Sequence, residues 1–235
     1  MPRSFGSNPV IDQVGVIFDF NGTLFSDSDK QEKAWRTFSK QEFHRSITDD
    51  EFQNYIHGRN NNFIMQYLAD QPLTENQISD MVEKKEAIYR NLCKEDKSHF
   101  HLACGAVRLL NELASRQIPR TVATASGKTN LDFYVSSFQL EKWFDIQKVI
   151  YDDGMIPGKP NPDFYIRASQ AIAVPAKNCI VVEDAVSGIQ AAHSAGIGKV
   201  IAICPRNKQE IFAEMPEVYD VISNFYEFDR FLLRM

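Results

Sequence analysis

Apolar residues in this chain recur in two rhythms. Short β-branched runs at 14–18, 121–123, 146–150, 180–182 and 200–203, with a weaker one at 218–222, predict strands. Between most of them the apolar residues fall three or four apart, as at Val107, Leu110 and Leu113, at Phe164, Ile166 and Ile172, and at Ile189, Ala192 and Ala195. That spacing lines one side of a helix. Strands alternating with helices predict an α/β fold, with a mostly parallel, doubly wound sheet flanked on both faces.

The stretch 27–97 breaks the alternation. It is long, charged and rich in helix formers, and no β-branched run punctuates it. Trp35, Phe38, Phe52, Ile56, Phe63, Ile64, Tyr67, Leu68, Met81, Val82 and Ile88 mostly recur at three or four residues and are read as the core of a small helix bundle. The protein therefore divides into a sheet domain, 1–26 plus 98–235, and an α-helical insertion, 27–97.

Composition narrows the function. The 235 residues carry a net charge of −5 with neither sign in a long block, so no basic stripe of the nucleic-acid-binding kind is present. A small-molecule partner is expected, with no nucleic acid and no membrane, and a monomer or weak dimer. Cys93, Cys104, Cys179 and Cys204 include no CxxC pair and are read as reduced, structural thiols. Residues 1–8 hold no apolar stretch of signal length, and no window approaches the roughly 18 apolar residues of a membrane span. The expected location is the cytoplasm.

In an open parallel sheet the ligand lies beyond the carboxyl ends of the strands. There the first run delivers Asp19, the run at 121 delivers Thr124, Ala125 and Ser126, and the run at 180 delivers Glu183 and Asp184. Between the last two, the turn Gly158-Lys159-Pro160 brings a cation towards the same edge. Converging carboxylates repel one another by several kcal/mol at low effective dielectric, so they call for a counter-charge. Oxygen donors without His or Cys favour a hard ion such as Mg²⁺, which shares its coordination with a substrate phosphate. A carboxylate beside that ion attacks phosphorus to give an aspartyl-phosphate. Lys159 and the Thr124 hydroxyl would hold the transferring oxygens, assisted by backbone N–H groups of the turn Asn21-Gly22-Thr23.

The segments FDFNGT (18–23), ATAS (123–126), GKPNPDFY (158–165) and VEDAVSGIQAAHSAG (182–196) resemble the four motifs of the haloacid dehalogenase superfamily. Within it they are most similar to the branch with a helical cap after the first motif, which includes β-phosphoglucomutase and phosphoglycolate phosphatase. The resemblance implies a Rossmann-like core and a cap over the site at 27–97. It also implies a Mg²⁺-dependent phosphatase of small phosphorylated metabolites, sugar phosphate or phosphoglycolate-like. It makes Asp19 the nucleophile and a metal ligand, Asn21 a ligand through its backbone carbonyl, and Glu183 with Asp184 the rest of the metal site. Gly22, Thr124, Ala125 and Lys159 would bind the phosphate. His57 and Arg59, in the loop 57–61, are candidates for reading the leaving group from the cap, and Ser126 and Lys128 from the core.

One position departs from the pattern. Two residues after the nucleophile, phosphatases and mutases of this superfamily usually carry an Asp that serves as general acid and then base; here it is Asn21. An amide neither donates nor accepts that proton at neutral pH, and such help is worth roughly 10²–10⁴ in rate. Three accounts stay open: a natural variant relying on water, a low-pKa leaving group or a cap residue such as His57; an engineered Asp→Asn form; or a non-catalytic phospho-ligand binder. A β-phosphoglucomutase-like mutase is the alternative enzyme, weakened by Asn21 and by Gln31 where a cap histidine is expected. Phosphonoacetaldehyde hydrolysis needs a cap lysine in the site, and Lys84 and Lys85 are read as solvated residues of a charged helix.

Overall fold

The computed structural model of the protein describes residues 13–57, 59–155 and 157–234. The reading of 1–8, and Gly58 within the loop 57–61, lie outside the described residues. Six strands, β1 (Gly15–Phe18), β2 (Arg120–Gly127), β3 (Ile150–Asp152), β4 (Cys179–Glu183), β5 (Lys199–Ile203) and β6 (Asp220–Ile222), form one sheet in the order β3-β2-β1-β4-β5-β6. Every neighbouring pair is parallel. All four residues of β1 are buried, as a continuous apolar run in the middle of a parallel sheet should be.

The two-residue period of β1 sorts its side chains between two cores. Val16 and Phe18 face a cluster holding Leu109, Leu110 and Leu113 of α5 (Ala106–Ser115) and Leu131 and Tyr134 of α6 (Lys128–Phe138). Ile17 faces the other, with Tyr165 and Ala168 of α7 (Asp163–Ala171), Ile189 and Ala192 of α8 (Val186–Ser194) and Phe212 of α9 (Gln209–Ala213). The sheet is thus buried on both sides, and β1 lies where the strand order reverses, with the ends of β2 and β4 beside its own.

Between β1 and α5 come α1 (Ser28–Glu42), α2 (Asp49–Glu51), a π-helical turn (Phe52–Ile56), α3 (Asn61–Leu68) and α4 (Glu75–Glu95). Thr74 and Gln77 make a reciprocal capping box at the start of α4, and Asn60 caps α3 by accepting from Phe63 N at 2.8 Å. These helices bury a cluster of their own around Trp35, Phe38, Phe52, Ile64 and Leu68. The far end of α4 belongs to the sheet domain instead, since Tyr89 and Cys93 join the cluster of Phe18.

Three details differ from the sequence reading. The run at 146–150 is not one strand: Asp145 accepts from Gln147 N at 3.2 Å and caps a 3₁₀ turn (Ile146–Lys148), so pairing begins at Ile150. Phe63 is 44% exposed rather than core, stacked on Tyr67 and lying under the Arg59 guanidinium. Lys85, read as solvated, is 1% exposed, with its ammonium 4.6 Å from the Trp35 ring centre; its neighbour Lys84 does face water.

Phe18 touches the edges of Phe144 and Phe225 at 6.2 and 6.0 Å between ring centres and has no exposed surface. Denaturant titration of Phe18→Ala should show a loss of about 3–5 kcal/mol, the range for emptying a buried aromatic site. A loss below about 1 kcal/mol, the size of a surface change, would place the core elsewhere.

Candidate active site

Asp19 is the first residue beyond β1, and its N–H still donates to Val182 O at 3.0 Å, so the backbone is held in register with β4 past the strand end. The side chain is buried at 6% exposure, and it does not stand alone. Lys159 Nζ donates to Asp19 Oδ1 at 2.7 Å and to Glu183 Oε1 at 2.6 Å. Glu183 is further held by the Tyr165 hydroxyl at 3.0 Å and by Ala185 N, which donates to Oε2 at 2.7 Å. Gly188 of α8 makes room for it: a Cβ there would stand 1.7 Å from Glu183 Oε1.

Burial pushes the Asp19 carboxyl up, Lys159 opposes the rise and Glu183 adds to it, which leaves the group at about 7. Burial works against the Lys159 charge as well, but Asp19 and Glu183 outweigh it and hold the ammonium well above its ordinary value. Asp184 is raised too, by burial first and then by Glu183 and Asp19.

Asp184 accepts a weak hydrogen bond from Thr23 Oγ1 at 3.4 Å. It closes on the turn only because residue 22 is glycine, at φ +80, where a Cβ would lie 2.0 Å from Asp184 Oδ2. Among the described residues no cluster of three or more His, Cys, Asp or Glu side chains is set to hold a metal. Two buried carboxyls side by side, Asp19 and Asp184, both raised by burial, are nonetheless an oxygen donor set that fits a hard cation. Protein donors already occupy both oxygens of Glu183.

Asn21 is fastened from both ends. Its Nδ2 donates to Asp27 Oδ2 at 2.7 Å, to the Tyr134 hydroxyl at 2.8 Å and to the Tyr89 hydroxyl at 3.2 Å. Its Oδ1 accepts from Ser126 Oγ at 2.8 Å and, at 3.4 Å, from Thr124 Oγ1. Asp27 has no exposed surface, also accepts from Gly22 N at 2.8 Å and from Tyr89, and burial raises its carboxyl.

The sequence profile of the family described as haloacid dehalogenase-like hydrolase matches residues 16–203. The protein belongs to this family. A solved haloacid dehalogenase-family hydrolase, family IA variant 3, from Entamoeba histolytica is 31% identical, with a TM-score of 0.86 over 94% of this chain and 97% of that one. A phosphorylated carbohydrates phosphatase of Thermotoga maritima is 25% identical over 80% of this chain and 84% of its own length. A probable pseudouridine-5'-phosphatase of Drosophila melanogaster is 33% identical over 52% of this chain and 54% of its own length.

In this haloacid dehalogenase-like hydrolase a cavity of about 190 Å³ opens between the strand tips and the helical insertion. Asp19, Asn21, Gly22, Thr124, Ala125, Ser126, Lys159, Glu183 and Asp184 all line it, as do His57 and Arg59 from the insertion. Lys128 does not; it is exposed and paired with Asp132 one turn along α6. Sequence reasoning missed Asp27, Tyr89, Tyr134, Tyr165, Lys85 and Glu86. Tyr165 stood inside the GKPNPDFY segment, and Lys85 falls on the 78, 81–82, 85, 88–89 stripe of α4, so a stricter reading of the period would have found both.

Two measurements follow from this geometry. The folded Asp19 carboxyl sits at about 7 against 3.8 unfolded, so across that interval the folded protein holds a proton that the unfolded chain releases. Metal-free protein should therefore lose stability as pH rises from 3.8 to about 7, and Mg²⁺ should stabilise it more at the alkaline end. Thermal melts showing the opposite slope would contradict this. Asn21→Asp would place an oxygen where an N–H now meets Asp27, costing about 1–3 kcal/mol at neutral pH. Asp27→Asn in the same protein should recover most of that loss in denaturant titrations, and a fully stable single variant would show that Asp27 does not depend on the amide.

Proposed function

We propose that this protein is a Mg²⁺-dependent phosphatase of small phosphorylated metabolites that works through an aspartyl-phosphate on Asp19. The observation that carries the reading is the buried Lys159 bridge between Asp19 and Glu183, with Asp184 beside it. The relatives named as phosphatases support the same class of reaction.

In this account Asp19 Oδ attacks phosphorus, forming an oxygen–phosphorus bond as the bond to the leaving oxygen breaks. Water then attacks the same phosphorus, releasing phosphate and restoring the carboxylate. Lys159 steers the phosphoryl oxygens and keeps Asp19 oriented, while Thr124 and the N–H groups of the 21–23 turn complete the anion cradle. Asp19, Asp184 and the Asn21 backbone carbonyl would hold the metal, and Glu183 anchors Lys159 rather than ligating. When bound, Mg²⁺ supplies the charge that lets the two aspartates stay ionised beside a phosphate.

Asn21 shapes the kinetics. With its amide committed to Asp27, the tyrosines and Ser126, it does not protonate the leaving oxygen, so esters of acidic alcohols and acyl phosphates should turn over fastest. Gln31 also lines the cavity and is equally unable to titrate, which favours hydrolysis over the proton shuttling of a phosphosugar mutase. The fastened amide also favours a second reading, a phospho-ligand binder with little turnover.

A phosphomonoester screen separates the two. Phosphate release that disappears with EDTA and falls at least about 10³-fold in Asp19→Ala is expected, since a covalent nucleophile has no substitute. Full activity in Asp19→Ala would end the aspartyl-phosphate account. Ligand-dependent thermal stabilisation without phosphate release would establish the binder.

A further inference from the structure

A phosphoryl group on Asp19 has to leave again, and the groups around it decide what takes it. Among the described residues, the other carboxylates lining the cavity are Asp27, Glu86, Glu183 and Asp184. Three of these have protein donors on both oxygens. Asp27 accepts from Gly22 N at 2.8 Å and from Asn21 at 2.7 Å, Glu86 from Asn61 at 3.2 Å and from Asn130 at 2.6 Å, and Glu183 from Lys159 at 2.6 Å and from Ala185 N at 2.7 Å. Asp184 forms with Asp19 the oxygen set that fits a hard cation. Asn21 is an amide whose oxygen already accepts from Ser126 at 2.8 Å. The carboxylates that could deprotonate an incoming water are therefore all engaged elsewhere.

We infer that the phosphoryl group on Asp19 passes to carboxylates faster than to water, so the protein exchanges phosphoryl groups between acyl phosphates and carboxylates and hydrolysis is the slow exit. The inference rests on the phosphatase reading above and adds an activity to its second step.

The two acceptors differ by a proton. Water must lose one as its oxygen bonds to phosphorus, and the general base that would take it, worth roughly 10²–10⁴ in rate, is not supplied by an amide at 21. A carboxylate brings no proton. One of its oxygens bonds to phosphorus, the bond from phosphorus to Asp19 Oδ breaks with its electron pair going to Asp19, and the products are an acyl phosphate and the restored Asp19 carboxylate. That step is the loading of Asp19 by an acyl phosphate run backwards through the same transition state, so it needs no stabilisation that loading does not already use. The bond made and the bond broken are both carboxylic–phosphoric anhydrides, and neither direction is strongly favoured. Lys159 assists, because its bond to Asp19 Oδ1 at 2.7 Å stabilises the carboxylate that departs. His57 also lines the cavity, and burial and the Lys208 charge lower its pKa and keep the imidazole neutral at pH 7. A water activated by His57 would make hydrolysis outrun exchange.

The test incubates the wild-type protein and Mg²⁺ with acetyl phosphate and isotope-labelled acetate at equal concentrations. Label should enter acetyl phosphate at least about tenfold faster than phosphate is released. Without acetate, a rapid quench should find the phosphoryl group on the peptide carrying Asp19, and added acetate should lower the phosphorylated fraction. Asn21→Asp supplies a base at the turn and should reduce the ratio of exchange to hydrolysis at least about tenfold. Because the ratio is read within one preparation, partial unfolding of the variant cancels, and the wild-type measurements decide the matter alone if the variant does not fold. Phosphate release that outruns exchange, a phosphorylated fraction that acetate does not lower, or an unchanged ratio in folded Asn21→Asp would overturn this inference and leave the phosphatase standing. Neither exchange nor phosphate release from acetyl phosphate would remove both.

Discussion

The contact on which the rest of the site depends is the ammonium of Lys159 held between Asp19 and Glu183. Burial pushes the Asp19 carboxyl towards its protonated form, and this ammonium opposes the push. The surroundings serve that contact. Tyr165 and the Ala185 N–H fix Glu183, glycine at 188 leaves it space, and the parallel pairing of β1 with β4 sets Asp19 and Glu183 side by side. A hydrophobic sheet buried on both faces is therefore also an electrostatic device, because its dry interior makes a single lysine decisive.

A second network stands directly against the first. Asn21 gathers donors and acceptors from the turn after β1, from β2, from α6 and from α4, and Asp27 joins them at the point where the backbone leaves for the helical insertion. The amide satisfies neighbours of both kinds, three oxygens on its nitrogen side and two hydroxyls on its oxygen side. A carboxylate at 21 could still accept from the hydroxyls but would lose the donor that meets Asp27. The surroundings thus match the amide, and the two tyrosines on either side tie α4 of the insertion and α6 of the sheet domain to the turn after Asp19. The segment that carries Asp19 is in this way coupled to the helical wall of the cavity.

The parallel sheet and its helices were legible in the sequence, because continuous apolar runs and helical spacing are local patterns with one physical cause, burial on one or both faces. The strand tips were legible for the same reason: once the runs are placed, Asp19, Thr124, Lys159 and Asp184 fall at one edge. What escaped was whatever depends on contacts between distant segments. Lys85 looks like solvent-facing charge when its sequence neighbours Lys84 and Glu86 are read with it, and only the packing of α4 on α1 puts it under Trp35. Glu183 looks like a free ligand until Tyr165 and Ala185 are seen to occupy its oxygens. Asp27 marks only the start of the charged stretch in the sequence, and its bond to Asn21, six residues back, depends on how the turn folds.

The most direct test of the covalent account is a rapid acid quench during turnover of acetyl phosphate by the Mg²⁺-loaded protein, followed by peptide mass analysis. A phosphoryl group on the peptide carrying Asp19, absent when EDTA is added before substrate, is the predicted result. Active turnover with that peptide unmodified at every quench time, under conditions that preserve acyl phosphates, would contradict a nucleophilic Asp19 and leave the Lys159 bridge without its assigned purpose.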